Sequence, residues 1–129
     1  MNGYKDNIEK LTLENTAFRR VLFTAAYSQL VLMSLRPGEE IGLEVHTVDQ
    51  FFRFESGQGK AILDKQEFLV SDGDAVIVPA GVHHNISNIS QTDDLKLYTI
   101  YSPPQHQDGT IHLTKAEAEA AEAAEHNKL

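Results

Sequence analysis

From Phe18 onward the chain is cut into short apolar runs by turn signals, and this rhythm leaves few folds open. The runs are FRRVLF, SQLVLMSL, QFFRF, GKAIL, EFLV, DAVIVP, HNISNIS and LKLYTIY. Each is about strand length and rich in Val, Ile, Leu, Phe and Tyr. RPGEE, ESGQG, DKQ, SDGD, PAG and SQTDD separate them, with the Gly, Pro, Asp and Ser that turns favour. Many short strands without helix-period segments between them predict an all-β antiparallel sandwich or barrel. There is no internal repeat.

The two ends read differently. The first 14 residues are polar and weakly patterned, and are expected to form an arm or a lead-in strand. The tail, TKAEAEAAEAAEHNKL, is nearly all Ala and Glu. Thr114 followed three residues later by Glu117 is a capping box, and Ala favours helix intrinsically. A short surface helix over about 114–126 is expected, because this tail has no large apolar face to bury. A chain of 129 residues suits one domain, with the barrel over about 15–113.

Charge and composition exclude several function classes. The formal net charge is -8, which repels phosphate backbones and argues against nucleic acid. Part of that charge is the solvated helix face of Glu117, Glu119, Glu122 and Glu125. Cysteine is absent, which removes disulfides, zinc fingers and thiolate nucleophiles. No apolar run approaches a membrane span, and MNGYKDNIEK lacks the pattern of a signal peptide. The expected setting is cytoplasmic.

One strand-like stretch carries chemistry. In GLEVHTVDQ, residues 42–50, Glu44 and His46 share a face because strand side chains alternate. Turned inward, a carboxylate and an imidazole need a partner, and a divalent cation satisfies both. Gln50 returns to that face across either a tight bend or a continuing strand, and offers a neutral oxygen donor. DGDAVIVPAGVH brings the chain back into the sheet at His83 and His84, of which one faces in. Two imidazoles with one carboxylate suit Fe, Mn, Ni, Co or Zn over Ca or Mg. Phe52 and Phe54 share parity with Gln50 and are expected to wall the pocket, whereas Phe51 faces the other way. Tyr98 and Tyr101 close the last long strand, where one could bring a hydroxyl near the metal, although a buried Tyr mostly just finds a hydrogen-bond partner. His106 and His112 lie in a Pro-rigidified loop, where they could form a lid or a dimer contact, and are read as structural.

The spacing of these residues resembles both motifs of the cupin superfamily. The first motif runs Gly, five residues, His, one, His, three or four, Glu, six, Gly; this chain has Gly38, Glu44, His46, Gln50 and Gly57 at those places. The second runs Gly, five, Pro, one, Gly, two, His, three, Asn; Gly73, Pro79, Gly81, His84 and Asn88 fill every position. The resemblance implies a cupin jelly-roll β-barrel and a metal held by Glu44, His46, Gln50 and His84, with His83 as a bystander. Glu44 stands where a His is usual and Gln50 where the Glu is usual, so the carboxylate has in effect moved. The chain also resembles small bacterial single-domain cupins often labelled mannose-6-phosphate isomerase-like. That label rests on a shared barrel. A sugar-phosphate isomerase needs a phosphate anchor, and Arg19, Arg20, Arg53 and Lys60 sit in no phosphate-binding motif.

The expected function is that of a metalloenzyme on a small molecule, of oxygenase or isomerase/lyase type, with Glu44 as general base. The alternative is a small-ligand binder or a dimeric scaffold without turnover. A homodimer, paired through outward apolar residues such as Phe51, fits each reading.

Overall fold

The computed structural model describes residues 2–127. Every one of the eight apolar runs contains a strand. These are β1 (Arg19–Thr24), β2 (Gln29–Leu35), β3 (Asp49–Ser56), β4 (Gln58–Leu63), β5 (Gln66–Ser71), β6 (Ala75–Val78), β7 (His84–Asn88) and β8 (Leu95–Ser102). A two-residue strand, β9 (Ile111–His112), follows the Pro-containing loop. A helix, α1 (Ile8–Glu14), precedes the strands, and another, α2 (Lys115–Asn127), follows them.

The strands form two sheets, one ordered β6-β3-β8-β2-β1-β9 and the other β5-β4-β7. All pairings are antiparallel. The core lies between the sheets: Val31, Met33, Phe52, Phe54 and Leu97 from the larger meet Ala61, Val70 and Ile86 from the smaller. This is the two-sheet jelly-roll arrangement that the run-and-turn rhythm predicts.

Burial alternates along β3, β7 and β8 as a period of two requires. Gln50, Phe52 and Phe54 point inward from β3, and His84, Ile86 and Asn88 from β7. Register then makes a polar row at one end of the large sheet. Tyr101 pairs with Gln29 on one side and with Gln50 on the other.

Two motif residues have structural work of their own. Gly57 has φ +102°, and a Cβ there would sit 2.6 Å from the Asp94 carbonyl oxygen, so only glycine fits this β3–β4 turn. Asn88 is buried, and its Nδ2 donates to the carbonyls of Leu35, Arg36 and Asp93 at 3.0, 3.1 and 2.8 Å. Its Oδ1 accepts from the Ser90 N–H at 2.9 Å, so one side chain pins the end of β2 to the β7–β8 loop.

The N-terminal segment departs from expectation. Instead of an arm or a strand, residues 8–14 form a helix capped by Asn7, whose side chain accepts from the Lys10 N–H at 3.1 Å. Thr12 is fully buried, and the helix packs on β2, β3 and β8. Ahead of it, Tyr4 stacks on Phe23 at 5.3 Å between ring centroids. The C-terminal helix starts as the capping box requires: Thr114 Oγ1 accepts from the Glu117 N–H at 3.1 Å. The Glu117 carboxylate reaches back to the Leu113 N–H at 2.7 Å, one residue before the Thr.

Candidate functional site

Glu44 and His46 do not lie on a regular strand. Their segment joins the small sheet through two isolated bridges, Glu40 to Ser87 and Glu44 to His84. Between them Gly42, at φ +108°, donates its N–H to the Asn85 side-chain oxygen at 2.9 Å. Glu44 and His84 exchange reciprocal N–H to carbonyl bonds, both 2.9 Å, and directly opposed residues project to one face. A bend at Thr47 and Val48 then leads into β3, so Gln50 arrives by a turn and not by strand continuation.

The four expected residues converge. The rings of His46 and His84 are 5.4 Å apart, and Glu44 Oε2 lies 3.3 Å from His46 Nε2. His84 packs its ring edge against Phe52 at 6.2 Å, and His46 packs against Tyr101 at 5.9 Å. His84 Nδ1 is 3.0 Å from the Val82 carbonyl oxygen. A carbonyl only accepts, so Nδ1 carries the proton and Nε2 is left with a free lone pair. Gln50 Nε2 donates to Thr99 Oγ1 at 3.0 Å, which turns its oxygen away from that bond. His84 Nε2 and Gln50 Oε1 are buried without a hydrogen-bond partner, and His46 Nε2, also buried, meets only the Glu44 carboxylate. His83 points elsewhere: its side chain is 61% exposed and sits 4.0 Å from Asp64.

Electrostatics sharpens these roles. Burial alone would raise the Glu44 pKa. The hydrogen bond and charge of His46, with Arg19 and His84 beyond, outweigh it and hold the carboxylate below its ordinary value. Burial keeps His84 below the usual histidine value, which favours its neutral form. Burial pushes the Tyr101 phenol well above its usual range, so it stays protonated.

Several residues at this site were not recognised in the sequence. Glu44 and His46 open onto a cavity of about 440 Å³ that is also lined by Arg19, Gln105, His106 and His112. Tyr101 Oη and His106 Nε2 are 3.2 Å apart, and the Gln29 side chain holds the loop by accepting from the N–H groups of Gln105 and His106 at 3.2 and 2.9 Å. Burial, and then the Arg19 charge, bring the His106 pKa down to about 3. Glu122 of α2 closes the outer side, 3.9 Å from Arg19. His106 and His112 thus belong to the cavity wall as well as to the loop. A histidine in a loop carries no sequence signal for this, because the contact arises from β9 pairing beside β1.

Among the described residues no group of three or more His, Asp or Glu side chains is disposed to hold a metal ion as it stands. The converging set is mixed: two imidazoles, one amide and one carboxylate, with Glu44 turned onto His46. Its fit to a cation rests on the donor chemistry. Two buried lone-pair atoms without partners, His84 Nε2 and Gln50 Oε1, are costly in a protein interior unless something binds them.

Residues 31–101 match the family model described as Cupin domain. An uncharacterized protein of Bacillus subtilis, YrkC, is 48% identical over 123 residues, covering 90% of this chain and 66% of its own length. An uncharacterized protein of Acanthamoeba polyphaga mimivirus is 42% identical over 119 residues, covering 89% of this chain and 74% of its own. A crystal structure of a Bacillus halodurans protein superposes with TM-score 0.88 at 45% identity, over 92% of this chain and 95% of that one. No helix among the described residues is long and apolar enough to cross a membrane.

Proposed function

This chain belongs to the cupin family, and on that premise we propose that it is a metal-dependent enzyme acting on a small molecule, of oxygenase or isomerase/lyase type. His46, His84, Glu44 and Gln50 would hold a divalent transition metal: Fe, Mn, Ni, Co or Zn. The observation that carries this reading is the pair of buried, unpartnered donor atoms, His84 Nε2 and Gln50 Oε1, together with a His46 imidazole whose buried Nε2 meets only the Glu44 carboxylate. When bound, such a metal supplies Lewis acidity toward substrate oxygens.

The chain's own groups do the rest. The Val82 carbonyl fixes the His84 tautomer, and Thr99 fixes the Gln50 amide, so both donors are pre-oriented. Glu44 borders the cavity, is ionised near neutrality and serves as the general base. His106, neutral and held from behind by the protonated Tyr101, lines the cavity and can help orient a substrate without adding charge. The whole chain acts as one unit, and its cysteine-free composition suits the cytoplasm.

Metal content of the untagged protein by mass spectrometry tests this, comparing wild type with His46→Ala and His84→Ala. Near-stoichiometric metal in the wild type and its loss in both variants is expected. A wild-type protein that stays metal-free after reconstitution overturns the reading.

A second reading, a homodimeric binder without turnover, draws on the outer surface beside β5 and β6. Phe68, Leu69 and Ile77 are exposed there and border one shallow depression. Sedimentation of the wild type and of Leu69→Glu decides it. A dimer that the substitution splits supports pairing through this face, and a monomeric wild type removes it.

A further inference from the structure

Arg19 has no part in holding the metal, yet it is the least satisfied charge in the site. It is 2% exposed. Its Nη1 lies 3.3 Å from His112 Nδ1 and 3.9 Å from Glu122 Oε1. A guanidinium only donates, so His112 Nδ1 is an acceptor and that ring is neutral. Glu122 is 54% exposed and too distant for a hydrogen bond. Arg19 Nε is buried and has no partner at all. Beyond these the guanidinium has the Phe18 ring at 5.3 Å and carboxylates that act on it only across the cavity, so a cation removed from water without a hydrogen-bonded anion is under-compensated.

The missing partner is definable by chemistry. A guanidinium binds a planar carboxylate through two parallel N–H groups, and here the Nε half of such a pair is free. Arg19 lines the same cavity as Glu44 and His46, whose volume of about 440 Å³ suits a small molecule. We propose that this cavity takes a small organic monocarboxylate, with Arg19 as the residue that receives its carboxylate group and fixes the rest of the molecule toward Glu44 and His46. The inference rests on the proposed function in taking this cavity as the substrate site.

Charge balance selects a carboxylate over a phosphate. Arg19 supplies a single positive charge, since His106 and His112 are kept neutral chiefly by burial. Glu44, Glu122 and Glu125 line the same space. A monoanion on Arg19 adds one negative charge to that space, whereas a phosphate dianion brings a second beside three carboxylates. Glu122 is then a weak competitor from the helix, standing on the outer side of the guanidinium.

The test titrates the full chain, as purified and after chelator treatment, with glycolate, its neutral amide glycolamide, and inorganic phosphate. Calorimetry and the Arg Nε–H resonances report binding. The expected result is saturable glycolate binding that moves one Nε–H resonance in both preparations. Glycolamide and phosphate should bind at least tenfold more weakly. Arg19→Gln should abolish glycolate binding, and Glu122→Gln, on the exposed helix, should tighten it about threefold or more. Absence of saturation in both the wild type and Glu122→Gln overturns the proposal, and so does phosphate or glycolamide binding as tightly as glycolate. Metal content is measured separately: a metal-free protein that still binds glycolate refutes the metal reading alone, and a metal-loaded one that ignores glycolate refutes this one alone.

Discussion

Gln50→Glu restores the family's usual carboxylate, and the structure says what it costs. Gln50 is buried, donates to Thr99 and leaves Oε1 unpartnered. In the variant the Thr99 hydroxyl can rotate to donate, so the new carboxyl gains one hydrogen bond. That is too few for a buried anion, and Glu44 nearby adds repulsion. Burial with a single hydrogen bond raises the carboxyl above its unfolded value, and a buried anion so poorly paired costs roughly 1–4 kcal/mol at pH 7. The folded state then holds a proton that the unfolded state has released, so stability falls as pH rises and the loss is smaller at pH 5. Urea unfolding in chelator at both pH values measures this, and repeating it with saturating Mn or Zn should stabilise the variant more than the wild type. A variant as stable as wild type in chelator at pH 7 would refute the burial argument. Equal stabilisation of both proteins by metal would show that position 50 does not ligate.

Two further outcomes follow from the same structure. Asn88→Ala removes the donor that serves three carbonyls, of which only Leu35 belongs to a fully buried residue. It should lower unfolding stability by about 2–4 kcal/mol, and a loss in urea titration below about 1 kcal/mol would mean water replaces the side chain. The neutral His106, with its pKa at about 3, makes stability acid-sensitive. The unfolded chain binds its proton below about pH 6.5 and the fold does not, so stability is lost as pH falls, by up to roughly 2 kcal/mol at pH 5. His106→Gln should flatten that part of the pH profile, and an unchanged slope would place the sensitivity elsewhere.

What was legible in the sequence was what period and spacing can carry. Parity along QFFRF put Gln50, Phe52 and Phe54 on one face, and all three are buried. The PAG turn and the motif spacing separated His84, which is buried, from His83, which is exposed. Parity was a poorer guide before Thr47, because Glu44 and His46 sit on a bridged segment and a bend resets the face. Helix α1 was missed because a seven-residue element shows barely two turns of period, although Asn7 with Ile8, Leu11 and Thr12 carried a cap and a face. Arg19, Tyr101 and His106 were invisible as a group. Arg19 is far in sequence from Tyr101 and His106, and only the sheet order and register bring it to their end of the molecule.

That sheet order has a kinetic meaning. The polar groups at the cavity come from β1, the bridged segment before β3, the loop after β8, β9 and α2, spanning Arg19 to Glu125. The Glu44–His84 bridge alone closes a long loop, and it adjoins the β4–β7 pair through His84. Contacts so distant along the chain form slowly, because loop-closure entropy must be met before they stabilise anything. No early hairpin holds a partial version of the site. A nascent or partly unfolded chain therefore carries these histidines as independent side chains, and on the proposed function tight metal uptake would be a readout of completed folding.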